Sequence, residues 1–181
     1  MAGEELREEL GTGAEGILVL DQTPFYAESG GQVADTGSIV TTDGARLEVK
    51  DVKKTGKGYF VHTCTLMEGT VKVGDSVTAA VSKGRRMSIA RNHTSAHLLQ
   101  KALREVLGSH VHQAGSYEDD ERVRFDFTHF SAVTPEELAL VEHIVNQKIF
   151  EALDVNIQNL PIAEAKKMGA MALFGEKYGD V

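Results

Sequence analysis

Two histidines lie one helical turn apart in a segment whose apolar pattern predicts a helix. His93 and His97 are four residues apart, so in a helix both imidazoles project from the same side. This geometry suits two ligands of one Zn²⁺, which needs a third protein ligand in a catalytic site and a fourth in a structural one. With seven histidines in the chain, a solvated or hydrogen-bonded pair is an equally open interpretation. No Glu follows His93 directly, which argues against an HExxH peptidase.

The helix that carries these histidines is expected to run from about Met87 to Leu107 and to end at Gly108. Its apolar residues form one face, and the two histidines lie at the edge of that face, where a cleft is more natural than core or open solvent. Four cations around the start of the helix are interpreted either as a local RNA-binding patch or as solvated linker charges, and composition favours the second: Lys83, Arg85, Arg86 and Arg91.

The elements on either side of this helix predict an α+β protein. Short apolar strands separated by glycine turns, near 17–20, 45–49, 59–64 and 75–81, predict a small N-terminal β-barrel. After the helix we expect strands at 109–113, 122–127 and 155–160, a helix capped by Thr134, and a short helix from Pro161 to about Met168. This order predicts a two-layer α/β core with helices on an antiparallel or mixed sheet. The expected domains are 1–84 and 85–181, the second C-terminally incomplete because residues 170–181 resemble the lead-in to another strand.

Composition narrows the class of protein. The chain has 181 residues, a formal net charge of −8 and one cysteine, Cys64, which is interpreted as a packed core thiol. The acidic balance argues against a binder held to nucleic acid by a broad basic surface, although a local patch could still contact an RNA end. No apolar run reaches membrane-spanning length and the first residues lack a signal-peptide core, so a cytoplasmic protein without membrane contact is expected.

Two longer segments carry a resemblance to a known family. The run Leu20-Asp21-Gln22-Thr23-Pro24-Phe25-Tyr26-Ala27-Glu28-Ser29-Gly30-Gly31-Gln32 resembles the signature of the editing region of alanyl-tRNA synthetases and of the free-standing AlaX proteins. Residues 124–127 and the run GAMALFGEKYG at 169–179 resemble further segments of the synthetase form. The similarity covers nearly the whole chain from about Gly16 onward, and the two long segments are far more specific than the histidine pair.

The resemblance implies an aminoacyl-tRNA deacylase that hydrolyses the ester of tRNA(Ala) mischarged with Ser or Gly. It implies Zn²⁺ bound by His93 and His97, matching the first half of the family's zinc motif; the second pair, in a later CxxxH segment, is absent, so the site is expected to be incomplete. Gln32 matches the glutamine of the GGQ motif in the editing site, and without the resemblance it would be interpreted as a cap in a turn closing the barrel. Activation of alanine with ATP is implied only for an upstream domain that this chain lacks.

Several residue roles stay open at this stage. Thr94 and Ser95 either bond a serine hydroxyl of the substrate or bond back into their own helix. Arg91 and Arg124 are candidates for RNA contact, and Arg124 pairs alternatively with Asp126. His110 and His112 are interpreted as cleft or solvent residues rather than makeshift ligands, and His129 has no obvious partner. The alternative function is an acceptor-end binding module of the same synthetase that does no chemistry. The sequence predicts no oligomeric state.

Overall fold

The computed structural model describes residues 6–170, and this part of the chain is a mixed α+β fold, as expected. The strands in chain order are β1 (Glu9–Gly11), β2 (Glu15–Val19), β3 (Gly37–Thr41), β4 (Arg46–Lys54), β5 (Phe60–Glu68), β6 (Thr70–Lys72), β7 (Val77–Val81), β8 (Gln113–Glu118) and β9 (Val123–Phe127). The helices are α1 (Lys83–Leu107), α2 (Pro135–Phe150) and α3 (Ile162–Lys167). No helix within residues 6–170 combines the length and the apolar character needed to cross a bilayer.

The chain divides into two compact units. The first holds the residues up to His97 together with Gly115–Asp126, and the second holds Leu98–Ala114 together with the residues from Phe127 on. Most of β8 and β9 therefore belongs with the N-terminal strands, although both follow α1 in sequence. The predicted domains 1–84 and 85–181 have other bounds than these units and remain a proposal.

A five-stranded antiparallel sheet forms the core of the first unit, in the order β2-β5-β4-β3-β7. Leu47 and Val49 alternate with charged residues along β4, so both point into the core. The pairing of β4 with β5 shifts register between Val49 and Asp51, and this irregularity brings Val52 to the buried face as well. From β5, Cys64 and Leu66 complete the same core, and burial raises the pKa of the Cys64 thiol to about 12. The predicted core thiol is thus confirmed.

The strand order corrects part of the expected architecture. In the described residues β2 and β7 are the two ends of this sheet, with no closing pair between them, so the predicted small barrel is not confirmed. The strands β1, β3 and β6 were not predicted, because β1 and β6 have three residues each and β3 lies in sequence that contains turn residues. The predicted strands at 45–49 and 59–64 are each longer, since the β4–β5 hairpin continues to Lys54 on one side and Glu68 on the other.

Two predicted strands after α1 are wrong. The strand expected at 109–113 begins only at Gln113 and runs to Glu118, because Gly108 (φ +115°) and a turn bond from Val111 N–H to Gly108 O occupy the earlier positions. The strand expected at 155–160 is absent from the described structure, where this segment pairs with no other strand and Ile157 is exposed. The strand expected at 122–127 is confirmed as β9, which pairs with β8, and the short helix expected from Pro161 is confirmed as α3.

The predicted capping box of α2 is confirmed. Glu137 N–H donates to the Thr134 hydroxyl at 3.2 Å, and Thr134 N–H donates to the Glu137 carboxylate at 2.8 Å. Pro135 occupies the first helical turn, where its missing N–H would have no helical partner. The local sequence thus fixes the start of this helix without tertiary contacts.

Candidate functional site

The Gly30-Gly31-Gln32 turn is the first part of the site. Both glycines have positive φ, +61° at Gly30 and +89° at Gly31. Reciprocal backbone bonds between Ser29 and Gln32, 3.2 and 3.0 Å long, close the turn. A Cβ on Gly31 would overlap Ser116 Oγ and lie 2.8 Å from Glu118 Oε2, whereas a Cβ on Gly30 would meet nothing within 4 Å. Only glycine therefore fits at position 31 without displacing β8.

Strand β8 holds this turn in place through backbone bonds. Glu118 N–H donates to Gly31 O at 2.9 Å, and Val33 N–H donates to Glu118 O at 3.0 Å. The helix α1 is tied to the end of the same strand by the Asn92 side chain, which donates to Asp119 O at 2.8 Å. Three segments that are distant in sequence are thus joined at one place.

Gln32 reaches the first histidine of the pair. Its side chain is largely buried, and Gln32 Oε1 lies 2.7 Å from His93 Nδ1. Because an amide oxygen can only accept, His93 Nδ1 donates in this bond. In the neutral imidazole this leaves Nε2 as the ring nitrogen with a free lone pair. The side chain of Gln32 therefore bonds to a histidine 61 positions away rather than capping its own turn.

The two imidazoles lie against each other. The rings of His93 and His97 are stacked, with centroids 5.1 Å apart and planes 14° from parallel. Desolvation of His97, reinforced by the nearby His93, lowers the pKa of His97, while the negative charge of Glu118 opposes this shift. A lowered pKa keeps His97 neutral at neutral pH, which is the form that binds a metal ion.

A buried carboxylate accompanies the pair. Glu118 is 1% exposed, and neither of its side-chain oxygens has a hydrogen-bond partner in the described structure. Burial of a carboxylate without a hydrogen-bond partner lowers the free energy of unfolding. Among residues 6–170 no three His, Cys, Asp or Glu side chains are gathered closely enough to hold a metal ion as they stand. The assembled donors are therefore two imidazoles, with a carboxylate whose charge acts on one of them.

The two hydroxyls between the histidines bond back into α1. Thr94 Oγ1 donates to Ala90 O at 3.0 Å, and Ser95 Oγ donates to Asn92 O at 2.7 Å. Of the two open interpretations, the structure shows the local one. Thr94 remains exposed at the helix surface.

The predicted RNA-contact arginines are exposed. Arg91 donates to Ser88 Oγ at 3.0 Å within α1. Arg124 forms an ion pair with Asp126 across 3.1 Å, which was one of the two expected roles. Both pairs leave the guanidinium group in contact with water, where such bonds contribute little and are easily exchanged.

Arg85 and Arg86 are structural rather than free linker charges. Arg86 Nε donates to the buried Asp35 carboxylate at 2.7 and 2.9 Å, and Arg86 also donates to Pro24 O at 2.9 Å. Arg85 donates to Ala34 O at 2.8 Å and to Asp120 at 3.1 Å. These bonds hold the chain before β3 against the start of α1. They remove two of the four cations from the suggested RNA-binding patch.

The remaining histidines of interest lie in the second unit. His110 Nε2 and His129 Nδ1 are 2.9 Å apart and share a hydrogen bond, so His129 has the partner that the sequence did not suggest. The ring of His110 also stacks on exposed Phe130, with centroids 4.4 Å apart. His112 is exposed.

Sequence reasoning missed Glu118 and Ser116. Neither residue was given a role from the sequence, whereas the structure places both on β8 beneath Gly31. The available signal was the adjacent Gly30 and Gly31, since paired glycines mark a place where another part of the chain approaches closely. That signal does not identify the approaching residue.

Comparison with known proteins gives consistent matches. Residues 1–85 match the family described as tRNA synthetases class II (A). The chain is 56% identical over 178 residues to the alanine–tRNA ligase of Acetivibrio thermocellus, which is 98% of this chain and 20% of the relative. It is 56% identical over 164 residues to the alanine–tRNA ligase of Bacillus pumilus, 91% of this chain and 19% of the relative. It is 51% identical over 178 residues to the alanine–tRNA ligase of Listeria monocytogenes, which is 98% of this chain and 20% of the relative. The chain thus spans about a fifth of the length of these relatives.

Proposed function

We propose that this chain, which is homologous to a segment of alanine–tRNA ligases, is an editing region that hydrolyses the ester of tRNA(Ala) mischarged with Ser or Gly. The observation that carries the proposal is the 2.7 Å bond between Gln32 and His93. It joins the GGQ turn to the histidine helix, and both segments resemble parts of editing regions. The further expectations belong to the same proposal: a barrel followed by a two-layer core, domains 1–84 and 85–181, and a cytoplasmic location.

The need for a hydrolytic site has a physical basis. A synthetic site shaped for alanine cannot exclude the smaller glycine, and it rejects one added hydroxyl poorly. Discrimination of one small group is worth only about 1–3 kcal/mol. A second site that cleaves the wrong ester multiplies the selectivity of the first. In this proposal alanine and ATP are used elsewhere in the longer protein.

The described residues do not complete a Zn²⁺ site, because no third His, Cys, Asp or Glu is gathered with the two histidines. His93 and His97 supply two imidazole donors one turn apart, and the bond to Gln32 fixes the tautomer of His93. The orphaned Glu118 carboxylate supplies negative charge close to His97. A zinc ion held there would polarise the ester carbonyl or lower the pKa of a bound water. The family's second ligand pair is not in this chain, so weak binding is expected.

The chain's own residues have defined tasks in this proposal. Gln32 orients His93 and keeps its amide N–H₂ available to bind the substrate or a water. Thr94 is exposed on α1 beside His93, and in this proposal its hydroxyl exchanges the bond to Ala90 O for one to the aminoacyl group. Arg91 and Arg124 are exposed cations that bind phosphates of the acceptor end in this proposal. Each gives up a weak local partner to do so, Ser88 for Arg91 and Asp126 for Arg124.

A second function is favoured by one observation. Among residues 6–170 no three metal-ligating side chains are gathered in one place, and a catalytic zinc site requires three. A module that binds the tRNA acceptor end without cleaving the ester would need no complete metal site. The deacylase hydrolyses the ester and the binding module does not, whereas both bind the tRNA acceptor end.

Hydrolysis of Ser-tRNA(Ala) by the 181-residue chain tests the proposal. The assay is run with and without added Zn²⁺, on the original chain and on a His93→Ala/His97→Ala variant. The matched control is His112→Ala, which removes an exposed imidazole from the same protein. We expect hydrolysis that the double substitution abolishes and the control preserves. Acceptor-end binding without hydrolysis under any condition would refute the deacylase and leave the binding module.

A further inference from the structure

Three aromatic rings of the second unit meet at one place and have no role in the proposed hydrolysis. The ring of Phe130 stacks on that of His110, with centroids 4.4 Å apart and planes 24° from parallel. The rings of His110 and His129 share a hydrogen bond of 2.9 Å, and their planes differ by 18°. His110, His129 and Phe130 are called the ring cluster below.

The His110 ring is held in the cluster from several sides. A Cβ on Gly108 would be 3.0 Å from His110 Nδ1, so the main chain packs against this ring. The hydroxyl of Thr128 donates to His110 O at 3.2 Å. Together with the bond to His129, these contacts fix the ring before any ligand binds. A binding surface that is already ordered loses little conformational entropy when it is occupied.

Phe130 is 87% exposed although it lies against this fixed ring. A single exposed apolar side chain is common at protein surfaces and indicates nothing by itself. Phe130 differs because an imidazole backs its ring while most of its surface contacts water. Its neighbours in sequence are polar, and Ser131 Oγ lies 3.5 Å from His129 Nε2. The ring cluster therefore combines an open aromatic face with hydrogen-bonding groups at its edge.

A flat ligand with a polar edge suits this surface. Unpaired bases of RNA stack on Phe and His rings and are hydrogen-bonded along their edges. A hydrophobic protein segment would instead need a contiguous apolar patch, which the polar neighbours of Phe130 interrupt. Positive charge is present as well, because Arg104 donates to the backbone O of Val111, the residue after His110, at 2.9 Å. A guanidinium group bonded there supplies charge for the phosphate beside a stacked base.

We infer that the ring cluster is a stacking platform for one unpaired nucleotide of a single-stranded RNA end. This inference rests on the proposed function, in which the chain binds the acceptor end of a tRNA. Phe130 stacks on the base, His110 supports the Phe130 ring, and His129 and Ser131 contact the edge of the base. Stacking needs no broad basic surface, so it is compatible with a formal net charge of −8.

Tryptophan fluorescence tests this inference, because the chain contains no tryptophan of its own. Phe130→Trp places a single indole in the ring cluster, and a base stacked on it quenches its emission. The probe is a short single-stranded RNA that ends in CCA, titrated into the whole 181-residue chain. A blunt-ended RNA duplex, whose bases are already stacked on one another, is the control ligand. We expect saturable quenching by the single strand and little by the duplex.

The matched control variant is Phe150→Trp. Phe150 is 86% exposed on α2 in the same unit, and no aromatic ring stacks on it among residues 6–170. The single strand should leave its emission unchanged. Absence of quenching in Phe130→Trp overturns the inference, and so does equal quenching at both positions. Emission of Phe130→Trp that shifts with protein concentration in the absence of RNA also overturns it, because a second copy of the chain then covers the ring.

The affinity of the chain for the same RNA supplies a second readout, measured by the anisotropy of a labelled strand. Phe130→Ala should weaken binding about fivefold to a hundredfold, the effect expected for loss of one stacking side chain. Phe130→Tyr keeps the ring and should bind as the original chain does, and Phe150→Ala should be unaffected. Circular dichroism checks that each variant is folded. Equal affinities of Phe130→Ala and the original chain overturn the inference.

Failure of this inference differs from failure of the proposed function. If Ser-tRNA(Ala) is hydrolysed but Phe130→Ala keeps its RNA affinity, only the stacking platform is refuted. If the RNA quenches Phe130→Trp but no ester is hydrolysed under any condition, the platform stands and the deacylase is refuted. If neither quenching nor hydrolysis occurs, both fail.

Discussion

Replacement of Gly31 by Ala is expected to damage both the stability of the first unit and the placement of Gln32. Gly31 has φ +89°, and a left-handed backbone costs about 1–2 kcal/mol for a residue with a Cβ. The new Cβ would also overlap Ser116 Oγ and lie 2.9 Å from Ser116 O. Overpacking of this kind costs about 1–3 kcal/mol. Together these contributions predict that Gly31→Ala lowers the free energy of unfolding by about 2–5 kcal/mol.

The neighbouring glycine supplies the matched control. Gly30 also has positive φ, +61°, but a Cβ there would meet nothing within 4 Å. Gly30→Ala should therefore cost only the backbone contribution, about 1–2 kcal/mol. A Gly31→Ala/Ser116→Gly double variant removes the overlap with the hydroxyl but keeps the approach to the carbonyl and the strained φ. We expect it to recover part of the loss, about 1 kcal/mol or more.

Urea unfolding followed by far-ultraviolet circular dichroism measures these differences, and Ser-tRNA(Ala) hydrolysis measures the consequence for Gln32. The loss at Gly31 should exceed that at Gly30 by at least about 1 kcal/mol, because only position 31 is overpacked. Equal losses for the two variants would show that β8 moves away freely. The argument that glycine is needed at 31 for close packing would then be wrong.

Three further outcomes are expected. Arg86→Met leaves the buried carboxylate of Asp35 without its cation and should lower the free energy of unfolding by about 3 kcal/mol, whereas Lys101→Met, which breaks an exposed pair, should cost under about 0.5 kcal/mol in the same urea titration. Thr134→Ala removes the side-chain cap of α2 and should cost about 1 kcal/mol, seen as a lower thermal midpoint. Burial lowers the pKa of His62, so the unfolded chain binds the extra proton first and stability is lost as pH falls below the unfolded value of about 6.5. His62→Gln should flatten that decline between pH 7 and 5, and an unchanged slope would contradict it.

The sequence alone was sufficient to predict elements whose ends are set by contacts between residues a few positions apart. The capping box from Thr134 to Glu137 needs only residues three apart, and it fixes the start of α2 as predicted. The histidine helix was predicted from its apolar period, although it begins at Lys83 rather than near Met87. Its first turn consists largely of cations, two of which are bonded to residues before β3. Those long-range bonds extend the helix beyond its apolar pattern.

Long-range pairing accounts for what the sequence did not predict. Val52 breaks the alternation of Leu47 and Val49, and only the register shift in the β4–β5 pair makes it a core residue. The buried position of Glu118 depends on pairing with Gly31, which no local pattern around Glu118 indicates. A charged residue in a polar stretch is normally assigned to the surface. The resemblance predicted that Gln32 lies in the editing site, but neither it nor any local pattern predicted the bond from Gln32 to His93.

The geometry of the candidate site depends on one short strand, β8, which follows both the GGQ turn and α1 in sequence. The turn at Gly31 and the helix at Asn92 are both bonded to β8 or the residue after it, so neither motif alone defines the geometry. A side-chain bond spanning 61 positions must be held by such intermediates, since the two side chains supply only one contact. The histidine pair of α1 and the GGQ turn are therefore held together by the residues of β8 that pack beneath Gly31. This explains why the first compact unit includes Gly115–Asp126 although it is interrupted in sequence.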